Sequence, residues 1–383
     1  MMIPDLPLDL VEEILAKVPA ISLKRLRSIC KRWNALFKDQ RFIEKHLRFH
    51  EATKQLNLLM LKEYRVCNVK LNLNVASPSL EFKGALGLKK ENHSNSEEVD
   101  IVKVSHCDGL LLCTTKDYKV VVWNPCLGET RWIQPKSKTS YTSCSRFVLG
   151  YRHKKSFRSY KILRYWTSLD YQINDRYEIF ELSSDSWRFL DEIPLDCAVE
   201  RHSFSVKGNT FWIAFDRKER YQFVLMFYFT TERFTRLSLP PFMSIAACTT
   251  VLSVVREEQL SVLRNSSASQ NLEIWVTNKI DTTEEALSWS KSFTVDFKNT
   301  PCDLINSYFV SCLINEEKKV VLCCGISRKS SMNMVYTIGE DGGYYTETPY
   351  VDEPTYSSCL YGNSTNVWWP FVFNYVPSLV HIF

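Results

Sequence analysis

His106, Cys107 and Asp108 stand side by side and carry the groups of a nucleophilic set: a base, a thiol and a carboxylate. Consecutive residues of an extended strand point to opposite faces, so these three do not meet as a catalytic unit. The seven histidines (46, 50, 93, 106, 153, 202 and 381) include no H-E-x-x-H, and the thirteen cysteines include no C-x-x-C, so zinc-ligand spacing is absent. Acidic pairs at Glu257-Glu258, Glu284-Glu285 and Glu340-Asp341 fall in polar, turn-like segments. A general acid needs partial burial to tune its pKa, so these read as solvated turns. Gly84 to Lys90 has the glycines of a phosphate loop but neither its Gly-Lys-Ser/Thr ending nor a buried strand before it, and reads as a surface turn. No G-x-S-x-G elbow and no dinucleotide fingerprint occurs. The expectation is a chain without catalytic residue, metal or cofactor.

The elements that position these side chains follow from composition and periodicity. With 383 residues, 45% hydrophobic, the chain can bury one large core or two unequal ones. Its 22 Phe, 18 Tyr and 10 Trp suit half-buried strands on which flat rings stack. Of the net charge of +5, residues 1–50 hold all but one, and the rest of the chain is nearly neutral. No basic stripe marks a nucleic-acid binder. No apolar run approaches the roughly 20 residues of a membrane span, and the opening lacks an export leader. Unpaired cysteines inside apolar runs read as reduced core residues, which predicts a cytoplasmic or nuclear protein.

Residues 5–47 predict three short helices. The first is capped by Asp9 with Glu12 as reciprocal partner, presents Leu10, Val11, Ile14, Leu15 and Val18, and stops at Pro19. The second is capped by Ser22 and places Leu23, Leu26, Ile29, Cys30 and Trp33 on one face, with Lys24, Arg25, Arg27, Lys31 and Arg32 on the other, either solvated or facing an acidic partner. Asp39 opens the third, with Phe42, Ile43 and Leu47. So short a segment cannot bury this many apolar side chains alone, so part of the stripe must meet the rest of the chain or another protein.

Residues 48–97 read as a linker with two short strands, Leu56–Leu61 and Val66–Leu73. From about residue 98 to 381, five strand–turn–strand stretches recur roughly every 45–60 residues, at Val120–Ile133, Tyr177–Leu190, Leu225–Leu239, Leu272–Phe293 and Met334–Tyr350. That is the period of four-stranded, kelch-type propeller blades. The fold class predicted is multidomain: a small three-helix unit, then an all-β, propeller-like domain of six blades. Trp132, Trp187 and Trp289 read as anchors packed between blades in preference to a ligand-stacking platform. No set of polar groups converging on a central channel is visible.

The order Leu6-Pro7-Leu8-Asp9-Leu10-Val11-Glu12-Glu13-Ile14-Leu15, Val18-Pro19, Ser22-Leu23, Leu26-Arg27-Ser28-Ile29-Cys30-Lys31-Arg32-Trp33 and Phe42 closely resembles the F-box. Asp108-Gly109-Leu-Leu-Leu-Cys113, Val122-Trp123-Asn124-Pro125, Gly128-Glu129-Thr130-Arg131, Gly208-Asn209-Thr210-Phe211-Trp212 and Tyr375–Val380 look like the plant F-box-associated interaction domain, type 1. Ala20-Ile21 stands where plant relatives often have a polar pair. The resemblance implies a substrate-recognition subunit of a Skp–cullin–F-box ubiquitin ligase, not itself an enzyme. Leu6, Pro7, Ile14, Leu15, Val18, Pro19, Leu23, Leu26, Cys30 and Trp33 would dock a Skp-type adaptor, which brings the cullin and RING protein, or hold the helices that do. The β domain would hold a target protein the sequence does not specify. The resemblance further implies that Leu15→Asp or Leu23→Asp abolishes adaptor binding and leaves the β domain folded. The rivals are a propeller-type enzyme or lectin with an incidental helical leader, and an F-box protein acting outside a ligase.

Overall fold

In the computed structural model, residues 6–51, 57–72, 79–89, 98–134, 145–154, 157–167, 173–190, 195–240, 248–266, 271–280, 286–296, 308–327, 333–340, 346–349 and 371–382 are described. Four helices lead into six antiparallel sheets, which are the blades of a propeller.

The leader differs from expectation in its caps. α1 (Leu8–Ala16) begins behind Pro7 and α2 (Ala20–Leu26) behind Pro19, with no side-chain cap at either, so Asp9 and Ser22 lie inside the helices they were expected to cap. Proline suits this place because a helix leaves its first N–H groups unpaired in any case. The helix predicted to run from Ser22 through Trp33 breaks, because the Ser28 hydroxyl donates to Arg25 O at 2.9 Å in competition with the helical ladder. Cys30 Sγ then accepts the Trp33 N–H at 3.4 Å and opens α3 (Lys31–Leu36), which makes four helices where three were expected. Asp39 does open α4 (Gln40–Glu51), since its Oδ1 accepts N–H bonds from Arg41 (2.8 Å) and Phe42 (3.2 Å).

Blades 1 to 5 follow the chain over 101–133, 145–189, 198–237, 248–296 and 308–349. Each predicted strand–turn–strand stretch is the outer hairpin of one of these blades. Blade 6 joins the two ends of the chain. Its inner strand, Phe371–Tyr375, pairs antiparallel with Asn57–Lys62, which continues into Arg65–Asn72 and Ser79–Ala85. The stretch read as a linker therefore supplies three strands of a blade. Pairing strands from the two ends of the chain in one sheet closes the ring of blades.

The Trp side chains tie blade to blade. Trp187 Nε1–H donates to Gln134 O at 3.1 Å, just past blade 1, and Trp289 Nε1–H donates to Ser238 O at 2.8 Å, just past blade 3. Trp132 packs partly buried in the core shared by blades 1, 3, 4 and 6. A ring that packs on one blade while its N–H satisfies the neighbour's last carbonyl sets the spacing between sheets.

Candidate functional site

The ten candidate residues of the leader divide into two sets. Leu15 and Leu23 are buried in one cluster with Leu110, Val122, Leu149 and Phe180 of blades 1 and 2 and with Leu379 and Ile382 of the C-terminal tail. Val18, Leu26 and Trp33 pack partly buried against the same cluster. Leu6, Pro7, Ile14, Pro19 and Cys30 are exposed. Exposed with them are Leu8 (65%), Ile29 (63%), Ile21 (48%) and Leu10 (46%), none of which was a candidate, and Ile14 itself is 54% exposed. On α1 the division is helical: Val11 and Leu15, one turn apart, face this cluster, while Leu10 and Ile14, also one turn apart, face away. Leu15→Asp or Leu23→Asp would place a charge in the core cluster that the leader shares with the propeller.

A buried polar junction fixes this docking. Glu44 of α4 accepts the backbone N–H of Arg158 at 2.8 Å, and the Arg158 guanidinium lies 3.4 Å from Glu44 Oε2 and 2.7 Å from Asp108 Oδ2. Tyr160 OH donates to the same Asp108 oxygen at 2.8 Å, and Arg158 stacks over the Tyr151 ring. Burial pushes the Glu44 carboxyl above its ordinary pKa, opposed by Arg158 beside it. Asp108 is thus committed to structure, and Cys107 beside it is buried. His106 Nε2 accepts the Gly109 N–H at 3.1 Å, and burial holds its pKa at about 4. The three form no nucleophilic set. No group of three or more His, Cys, Asp or Glu suited to a metal occurs among the described residues.

The C-terminal tail completes the junction. Asn124, fully buried, donates to Ser378 O (3.1 Å) and Val380 O (2.8 Å) and accepts from Leu127 N–H (3.1 Å), so the Asn-Pro turn residue also clamps the tail. Gly109 has φ +75°, and a Cβ there would lie 2.5 Å from Val376 O. Neither role is legible locally, because the tail partners are more than 200 residues away in the chain.

Basic residues also occur on or beside the inner strands of blades 1 to 3. Lys103 and Arg146 sit near the starts of the inner strands of blades 1 and 2, and Arg201 and His202 just before the inner strand Phe204–Val206 of blade 3. His202 stacks on Phe371 of blade 6, centroids 4.7 Å apart and planes at 8°. Arg146 and Arg201 add to the burial that lowers the Lys103 pKa, and together with Lys103 they add to the burial that lowers His202. His106 and Lys207, at the other ends of their strands, line a cleft with His46, Leu47 and His50 of α4, while His153, on the same strand as Arg146, influences Glu44. Arg146 and His153 are roughly 20 Å apart along that strand.

A family model described as F-box domain matches residues 3–45, and one described as F-box associated beta propeller domain matches residues 57–382. An F-box protein of Arabidopsis thaliana is 52% identical over 85% of this chain and 94% of its own length. An F-box/kelch-repeat protein of the same plant is 42% identical over 100% of this chain and 97% of its own.

Proposed function

The chain belongs to the F-box proteins with an F-box-associated β-propeller domain, and on that footing we propose that it is the substrate-recognition subunit of a Skp–cullin–F-box ubiquitin ligase. The observation that carries this reading is the division of the leader: its inward leucines are spent on the propeller, yet Leu8, Leu10, Ile14, Ile21 and Ile29 remain uncovered on the described surface. An apolar patch of that kind on a short helical unit marks a protein interface. Its occupant is a Skp-type adaptor, which brings cullin and RING protein with it, while the propeller holds the target protein.

In this arrangement the chain does no chemistry. Tethering a target lysine near a ubiquitin-charged enzyme raises its effective concentration, so geometry supplies the rate and no catalytic side chain is needed. No helix among the described residues is long and apolar enough to cross a membrane, and the buried cysteines, held as thiols by desolvation, fit a reducing cytoplasm or nucleus. Neither nucleic acid nor lipid is a partner in this reading.

The test is co-expression with a Skp-type adaptor. Each buried Ile contributes roughly 1.5–3 kcal/mol to such a contact, so Ile14→Asp with Ile29→Asp should lower adaptor co-purification by tenfold or more. Both side chains are exposed in the free chain, so its unfolding midpoint should hold. Undiminished adaptor capture by the double variant sinks the reading, and adaptor capture without cullin would place the protein outside a ligase.

A further inference from the structure

Residues 14–38 carry seven cations, Lys17, Lys24, Arg25, Arg27, Lys31, Arg32 and Lys38, and no carboxylate. Five of them lie within four positions of Ser28, in α2, in α3 and in the turn that joins the two helices. Lys24, Arg25, Lys31 and Arg32 are exposed and make no ion pair among the described residues, and Arg27 Nε–H donates to the neutral Asn34 Oδ1 at 3.3 Å. Like charges this close repel one another, and an anion placed among them is stabilised. Ser28 stands at the centre of the group, with its hydroxyl exposed and donating to Arg25 O at 2.9 Å. Arg25 and Arg27 precede it by three residues and by one. Basic residues spaced in this way before a serine are the charge pattern that an arginine-directed kinase reads in its substrate. Helices of seven and six residues flank the turn, and helices so short are marginal alone, so the segment yields readily to a kinase cleft.

We propose that Ser28 is a phosphate-acceptor site for an arginine-directed serine kinase, and that its phosphorylation releases the adaptor. The kinase supplies ATP chemistry: the bond from the γ-phosphorus to the ADP oxygen breaks, a bond to Ser28 Oγ forms, and the hydroxyl proton passes to the kinase's base. The phosphate brings a charge of about −2 and oxygens that accept, so the bond from the hydroxyl to Arg25 O is lost. Arg25, Arg27 and Arg32 then supply charge-assisted hydrogen bonds that hold the phosphate beside Ile29. Ile29 is 63% exposed and belongs to the uncovered apolar surface that carries the ligase reading, on which this inference rests. Covering Ile29 with an adaptor would strip water from the dianion next to it, which outweighs what one isoleucine contributes.

The folded full chain is treated with the catalytic domain of an arginine-directed serine kinase and ATP, and peptide masses locate the phosphate. Ser28 should be modified, about tenfold more slowly in Arg25→Gln, and Ser28→Ala should take no phosphate at this position. Capture of a Skp-type adaptor is then compared for treated and untreated chain. Phosphorylation should lower capture about tenfold or more, and a phosphatase should restore it, which tests the switch on the unmutated chain. Ser28→Ala should capture adaptor equally before and after the kinase, since it loses one exposed hydrogen bond and no packing. Absence of phosphate on Ser28 overturns the site, and undiminished capture by the phosphorylated chain overturns the switch. If the untreated chain captures no adaptor, the ligase reading fails, while the peptide masses still decide whether Ser28 accepts phosphate.

Discussion

Acid reaches the fold first through His46 and His106. Burial holds both at about 4, with His50 adding to the effect at His46. His106 Nε2 accepts from Gly109, which favours the neutral ring, whereas His46 Nε2–H donates to Val18 O at 2.9 Å, which partly opposes the effect of burial. Above the ordinary value of 6.5 neither state of the chain is protonated and no penalty exists. Between 6.5 and 4 the unfolded chain takes up protons that the folded chain refuses, so stability is lost as pH falls through that window. The loss expected at pH 5 is about 2 kcal/mol per histidine. Urea midpoints at pH 7 and pH 5 measure it, and equal midpoints would contradict it. At Gly109 the constraint is steric: a Cβ meets Val376 O at 2.5 Å and Ser378 Oγ at 2.6 Å with φ at +75°. Gly109→Ala is expected to cost about 2 kcal/mol or more, seen as a lower unfolding temperature.

At the scale of the element, α4 is the hinge between leader and propeller, because it carries Glu44 to Arg158 while Lys45 reaches back to Glu12 and Glu13 of α1. Arg158 is 4% exposed, and Glu44 and Asp108 are nearly as deep. Removing the arginine leaves two buried carboxylates facing each other without a cation, a loss of about 3–5 kcal/mol. Arg158→Met should therefore loosen the leader, and limited proteolysis should cut within α1 to α4 well before the blades. Cleavage rates in the leader that match the wild type would show that the junction does not hold it. The same reasoning separates the two rows of α1: Leu15→Asp strikes the shared core and should lower the unfolding midpoint, whereas Ile14→Asp should leave it in place.

For the whole molecule, stability depends on the two ends of the chain meeting. Deleting residues 371–383 removes the strand that pairs with Asn57–Lys62, from Asn57 opposite Tyr375 to Leu61 opposite Phe371. Blade 6 then presents an unpaired apolar edge, and the truncated chain should elute from size exclusion as aggregate. Ending the chain after Tyr375 keeps that strand and discards only the tail bound by Asn124 and Arg131. This shorter deletion should leave a monomeric propeller with a loosened leader. A monomer with native unfolding behaviour after the longer deletion would refute the closure argument.

Local physics wrote much of this architecture into the sequence. Alternating apolar residues around turns rich in Asn, Asp and Gly announce hairpins whatever their surroundings, so five outer hairpins were legible at Val120–Ile133 and its four counterparts. Helical periodicity likewise announced the leader, and the order of its leucines and prolines carried the family. Three things were decided only by tertiary structure, each because its partners are distant in the chain. The inner strand of blade 6 comes from the opposite terminus to its neighbours, which is why 48–97 read as a linker. Leu15 and Ile14 are equally apolar neighbours, and only the seat of the leader on blades 1 and 2 makes one core and the other surface. Asn124 belongs to a turn in its own segment, and only the return of the chain's far end to blade 1 brings it Ser378 and Val380 to clamp.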